Sequence, residues 1–166
     1  DRNGKLRPPC SRWRRWRSSY DGLQGIRRKP AGHGSITMDQ VAGELVIRVT
    51  AMPTDLNPYG GVFGGWLMSQ LALGAASLVT RRTGLKAVVV GATDFSFPGA
   101  MQVGDELNVY ADVIRTGRTS LTVVTRGFGR ARASEDQVEV AKGTFTFVAL
   151  DAADRPSAIP VQAMVV

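Results

Sequence analysis

Residues 62–79 form the longest apolar stretch of the chain, and its interruptions decide what it can be. Gly64, Gly65, Ser69, Gln70, Gly74 and Ser77 break the run, which makes it a poor membrane span and a reasonable buried helix over about 62–82. Arg81 and Arg82 fall in its last turn, where cations meet the negative end of the helix dipole, and Gly84 stands just beyond as a stop. A helix apolar on most of its sides has to be wrapped by something. Four β-patterned stretches follow, 86–97, 105–116, 118–130 and 137–150, separated by turns at 98–104, 117 and 133–136. A further strand is expected over 43–50, joined to the helix by a turn-rich loop over 51–61 that holds Pro53, Pro58 and the Gly60-Gly61 pair. Long strands with short turns predict antiparallel neighbours, and the plan is α+β: one long helix laid across a curled antiparallel sheet, in the order strand, helix, four strands. Residues 151–166, rich in Ala and Pro, read as a fraying end.

Composition matters where charge is concerned. The chain of 166 residues carries a formal net charge of +7, but it is unevenly placed. Residues 1–37 hold ten Lys/Arg against two Asp, a formal +8, whereas residues 38–166 hold eleven bases against twelve acids, a formal −1. The basic segment includes Cys10-Ser-Arg-Trp-Arg-Arg-Trp-Arg-Ser-Ser-Tyr20, whose alternation of Arg and Trp suits phosphates, bases or lipid headgroups. Its Gly, Pro, Ser and Arg content with few aliphatics instead predicts a disordered extension or a stretch ahead of the true coding start, since no Met precedes Met38. The expected division is therefore an extension over 1–37, one domain over 38–160 and a tail over 161–166, with no stable nucleic-acid or membrane partner. The one cysteine, Cys10, cannot form an internal disulfide, which points to the cytoplasm and to neither a zinc site nor any other metal.

Most catalytic motifs are missing. His33, the sole histidine, lies in the extension, so no histidine triad is expected. Ser69 and Ser77 lack a nucleophile elbow, and the glycines at 60, 61, 64 and 65 do not form a phosphate loop. What remains is the stretch Met52-Pro-Thr-Asp-Leu-Asn-Pro-Tyr-Gly-Gly-Val-Phe-Gly-Gly-Trp-Leu-Met-Ser-Gln70. Two glycines at the start of an apolar helix present backbone N–H groups and the positive end of the dipole, an arrangement able to stabilise an oxyanion. Close packing of helix on strand accounts for the same pair equally well.

This stretch closely resembles the hotdog-fold acyl-CoA thioesterases, in particular the bacterial YciA-like branch, whose helix entry reads Met-Pro-x-Asp-x-Asn-x-x-Gly-Asp-Ile-Phe-Gly-Gly-Trp-x-Met-Ser-Gln. The resemblance continues at Val103-Gly104-Asp105, at Gly117-Arg118-Thr119-Ser120, at the run from Thr144 to Asp151 and at Arg155-Pro156, and it spans about 45–160. It implies the hotdog fold and hydrolysis of an acyl-CoA to a free fatty acid and coenzyme A, with no cofactor. It also implies a homodimer or a higher assembly of dimers, with each site built across the interface. Carried over residue by residue, Gly64 and Gly65 polarise the thioester carbonyl, Asn57 matches the loop Asn, Phe63 lines the substrate site, and Gln70 either lines it too or merely caps a packing gap. Arg118, Thr119 and Ser120 lie along the coenzyme A path, with Arg118 the best candidate for a phosphate.

The chain departs from the branch at its acids. The carboxylate two residues after Ser-Gln is Ala72 here, and the one before Ile-Phe-Gly-Gly is Gly61. Thioester hydrolysis gains from a general base or a covalent step, which neither residue can supply. Asn57 can orient water but a neutral amide is no base. Asp94, within an otherwise apolar strand, is the candidate substitute; the alternative is a carboxylate that points to solvent or caps a turn. Alternation places it with Ala92 and Ser96, opposite Phe95 and Phe97, on a face that could meet the partner's helix start. The remaining alternative is a hotdog protein that binds acyl-CoA without cleaving it.

Overall fold

The computed structural model describes residues 43–160, so the expectations for 1–37, including Cys10 and His33, and for 161–166 lie outside the described residues. Strand β1 (Glu44–Thr50) is followed by a 3-10 turn at Pro53–Asp55 and by helix α1 (Gly64–Thr83). Strands β2 (Lys86–Ser96), β3 (Glu106–Thr116), β4 (Ser120–Arg130) and β5 (Gln137–Leu150) complete the chain order. They form one five-stranded antiparallel sheet in the order β1-β3-β4-β5-β2, the hotdog arrangement. No helix among the described residues is long and apolar enough to cross a membrane.

α1 ends where its sequence says it should. Gly84 adopts φ 67°, the left-handed conformation that costs glycine nothing, and its N–H donates to the Thr80 carbonyl at 2.8 Å. Arg81 in the last turn pairs with Glu44 of β1. Leu67, Leu71, Gly74, Ala75, Leu78 and Val79 are the buried face, spaced three and four apart. They meet Leu107, Val109, Ala111, Leu121, Val123, Phe145, Phe147 and Ala149 from the sheet. Each of these Leu, Val and Phe side chains contributes about 1.5–3 kcal/mol on leaving water. Gly74 permits the closest approach: a Cβ there would stand 2.6 Å from Val46 Cγ2.

Two expectations need correction. β2 does not pair with its sequence neighbour β3; it lies at the far edge beside β5, while β3 pairs with β1. Residues 97–105 are therefore a crossover and not a hairpin turn. Nine residues reach up to about 30 Å, whereas three strand spacings need only about 14 Å. The crossover is anchored by the buried Met101, whose carbonyl accepts the Val62 N–H at 3.2 Å, and by Ala51, which exchanges backbone bonds with Gly104 and Asp105. Nor do residues 151–160 fray. Ser157 N–H donates to the Ala149 carbonyl and Ile159 N–H to that of Arg118, both at 2.9 Å, and the Ile159 side chain enters the core.

Candidate active site

The loop entering α1 is held by its own polar groups. Asp55 accepts the Met52 N–H through Oδ2 at 2.8 Å, and its carbonyl accepts the Phe63 N–H at 2.8 Å. Asn57 closes the tip: Oδ1 accepts the N–H groups of Tyr59 at 2.8 Å and Gly61 at 3.3 Å, while its backbone bonds Gly60 and Gly61. Its oxygen is thus committed to the turn, and Nδ2 is the part of the side chain left to donate elsewhere. A Cβ at Gly61 would lie 3.5 Å from that Nδ2, so an acid at this position would stand against Asn57.

α1 begins without a side-chain cap at Phe63, whose carbonyl accepts the N–H groups of Trp66 at 3.0 Å and Leu67 at 3.2 Å. The amides of Gly64 and Gly65 have no acceptor among the described residues. Aromatic rings flank this pair. The Phe63 ring occupies the place a side chain on Gly65 would need, with its Cζ 2.8 Å from that Cβ position. Phe97 lies beside Gly64, its Cε1 and Cζ 3.7 and 3.8 Å from that residue's Cβ position. Both rings are about half exposed. An open depression of about 310 Å³ beside Gly65 is lined by Asp55, Leu56, Phe63, Trp66 and Ser69. Asp55 reads in the sequence only as a turn residue of this loop; its carboxylate holds the loop through Met52, and the residue lines this depression. Gln70 is half-buried about 9 Å further along α1. Ala72 is half-buried against the core.

Asp94 departs from the alternation expected of it. The β2–β5 register slips between Thr93 and Ser96, and Asp94 takes φ 56°, an uncommon conformation for a residue with a side chain. Phe95 consequently turns inward onto Phe145, at 5.2 Å between ring centroids, while Phe97 stays at the helix start. The Asp94 carboxylate is exposed, with Oδ2 accepting the Thr93 hydroxyl at 3.0 Å. It stands three residues before Phe97, at the helix-start end of its own chain.

The Arg118, Thr119 and Ser120 group lies at the opposite end. Ser120 pairs with Val148, and Lys86 at the beginning of β2 pairs with Leu150, whereas the end of β2 reaches Lys142. α1 separates the two ends by about 30 Å. One chain therefore brings Phe63 and Phe97 to Gly64 and Gly65, with Asn57 in the loop before them and Asp94 three residues before Phe97, and places Arg118 at the other end of the sheet.

The model of the thioesterase superfamily matches residues 59–130. An uncharacterized acyl-CoA thioester hydrolase of Zymomonas mobilis is 41% identical over 119 residues, covering 72% of this chain and 80% of that protein. The acyl-CoA thioester hydrolase YciA of Salmonella typhimurium is 36% identical over 130 residues, 76% of this chain and 98% of its own. The solved structure of the hexameric thioesterase from Yersinia pestis superposes with a TM-score of 0.69 at 36% identity, covering 72% of this chain and 98% of that one.

Proposed function

The chain belongs to the acyl-CoA thioester hydrolases of the thioesterase superfamily, and from that premise we propose that it cleaves an acyl-CoA with water to a carboxylic acid and coenzyme A. The observation that carries this reading is the pair of helix-start amides, Gly64 and Gly65, without an acceptor among the described residues and beside two part-exposed rings. The thioester carbonyl accepts hydrogen bonds from these amides, and the dipole of α1 favours the negative charge that grows on its oxygen. Asp94 takes a proton from water as the water attacks the carbonyl carbon. The tetrahedral intermediate collapses with cleavage of the C–S bond, and the proton passes from Asp94 to the departing thiolate. Asn57 donates through Nδ2 to the water or the substrate, and Phe63 and Gln70 line the acyl side.

Arg118, Thr119 and Ser120 receive the coenzyme A portion from a second copy. β2 is an edge strand exposing Val88, Val89 and Val90, an edge that tends to pair with another strand. Two chains joined antiparallel along β2 exchange ends, so the Arg118 turn of one copy approaches the helix start of the other. The working form is then a dimer or an assembly of dimers, in keeping with the hexamer of the Yersinia relative. We place it in the cytoplasm, with no cofactor or metal in the reaction.

A second reading, acyl-CoA binding without hydrolysis, is favoured by Gly61 and Ala72, neither of which can accept a proton. Thiol release from a panel of acyl-CoAs, beside equilibrium binding, separates the two. Asp94→Asn is expected to lower kcat by about 100-fold or more with binding retained. Full turnover in that variant removes Asp94 from the mechanism, and binding without any release by the parent chain establishes the second reading.

A further inference from the structure

Phe97 has no place in the hydrophobic core. Phe95, two residues earlier, is pinned against Phe145, but Phe97 follows the register slip out of β2 and leaves about half of its surface exposed. An exposed ring at a strand end is ordinary on its own. What distinguishes this one is its neighbour: its edge lies 3.7 Å from where a side chain on Gly64 would begin, so the ring stands over the helix start. Gly64 thus has the Phe97 ring beside it, as Gly65 has that of Phe63, and both rings are about half exposed.

We propose that Phe97 is a specificity-determining residue, the wall against which the first carbons of the acyl group pack. The inference rests on the reading of the two amides as the carbonyl site. A carbonyl oxygen held there puts the α carbon one bond, and the β carbon two bonds, from the carbonyl carbon. That is within reach of a ring that stands 3.7 Å from where a Gly64 side chain would begin. The flat ring edge accepts a straight methylene chain and crowds a branch at the α carbon. The substrate class is accordingly a straight-chain acyl-CoA, with discrimination exerted at the carbonyl end of the acyl group. In a pocket of this kind one methyl group is worth roughly tenfold or more in selectivity.

The test compares butyryl-CoA with isobutyryl-CoA on the full chain and on Phe97→Ala and Phe97→Leu, by thiol release and by binding of the corresponding non-hydrolysable thioethers. Phe97→Ala is expected to raise the isobutyryl-to-butyryl ratio of kcat/KM about tenfold and to move the ratio of thioether affinities the same way. Phe97→Leu, which keeps an apolar wall and guards against a folding defect in the smaller variant, is expected to fall between. Ratios unchanged within twofold in both variants overturn the proposal. If the parent chain releases no thiol from either ester, the hydrolytic reading falls by itself. The thioether affinities then still decide whether Phe97 selects the acyl group.

Discussion

Position 72 states the chemical problem of this site most sharply. The branch it resembles carries an acid there, and this chain carries an alanine half-buried against the core. A methyl group neither takes a proton nor attracts the water that an acid would hold, so any base has to come from elsewhere. Asp94 stands at the same end of the fold, exposed on an edge strand and held by Thr93. Ala72→Asp is expected to raise kcat at least about tenfold, and to restore turnover to the Asp94→Asn chain, because a positioned general base supplies a factor of that order or more. Thiol release on the single and double variants checks this. An unchanged or lower kcat in both backgrounds means that the site of this chain does not place water within reach of position 72. Gly65 is a different case, since the Phe63 ring fills the space of its missing side chain, and any side chain there displaces that half-exposed ring.

Among the elements, the C-terminal strap shows how a segment without hydrophobic pattern becomes ordered. Asp151 nucleates it. The Arg155 N–H, donating to Oδ1 at 3.0 Å, is the main cause that holds this carboxyl below its ordinary range. Partial desolvation opposes that effect, and the Ala153 N–H at 2.8 Å, the Arg155 guanidinium at 3.1 Å and the Lys86 charge add to it. A carboxyl with a lowered folded-state pKa favours folding fully above its ordinary value, and that contribution is lost as pH falls through the lowered one. The Tm difference between the parent chain and Asp151→Asn is therefore expected to be constant at neutral pH and to shrink below about pH 4. A difference that stays constant down to pH 2 refutes the role of this charge. Composition pointed to a frayed end because Ala and Pro carry little pattern, whereas the order comes from hydrogen bonds to β5 and to the β3–β4 turn, which are remote in sequence. The placement of β2 escaped the sequence for a related reason. Residues 98–104 look like a turn, and only their anchoring at Ala51 and Val62 makes them a crossover.

At the scale of the whole molecule, the two ends of the sheet hold the two halves of the proposed site. The helix start lies at one end and Arg118 at the other, so on the proposed reading one substrate takes them from two different copies. Val90, 58% exposed at the bulge on the β2 edge, is the position to probe. Val90→Lys is expected to reduce the assembly to smaller species by light scattering and to abolish thiol release without lowering the helix and strand content, since an edge lysine opposes strand addition. Turnover retained by a dispersed monomer excludes a shared site. The sequence by itself determined the helix, all five strands and the helix-start loop, because apolar periodicity, Gly and Pro placement and the helix dipole act over a few residues. It also carried the family, through motifs contiguous in the chain. Only the tertiary structure decided the strand order, the inward turn of Phe95, the meeting of Phe97 with Gly64 and the separation of Arg118 from the helix start. Each of these depends on which distant segments share a sheet, and hydrogen-bond register between distant segments leaves no local trace in the chain.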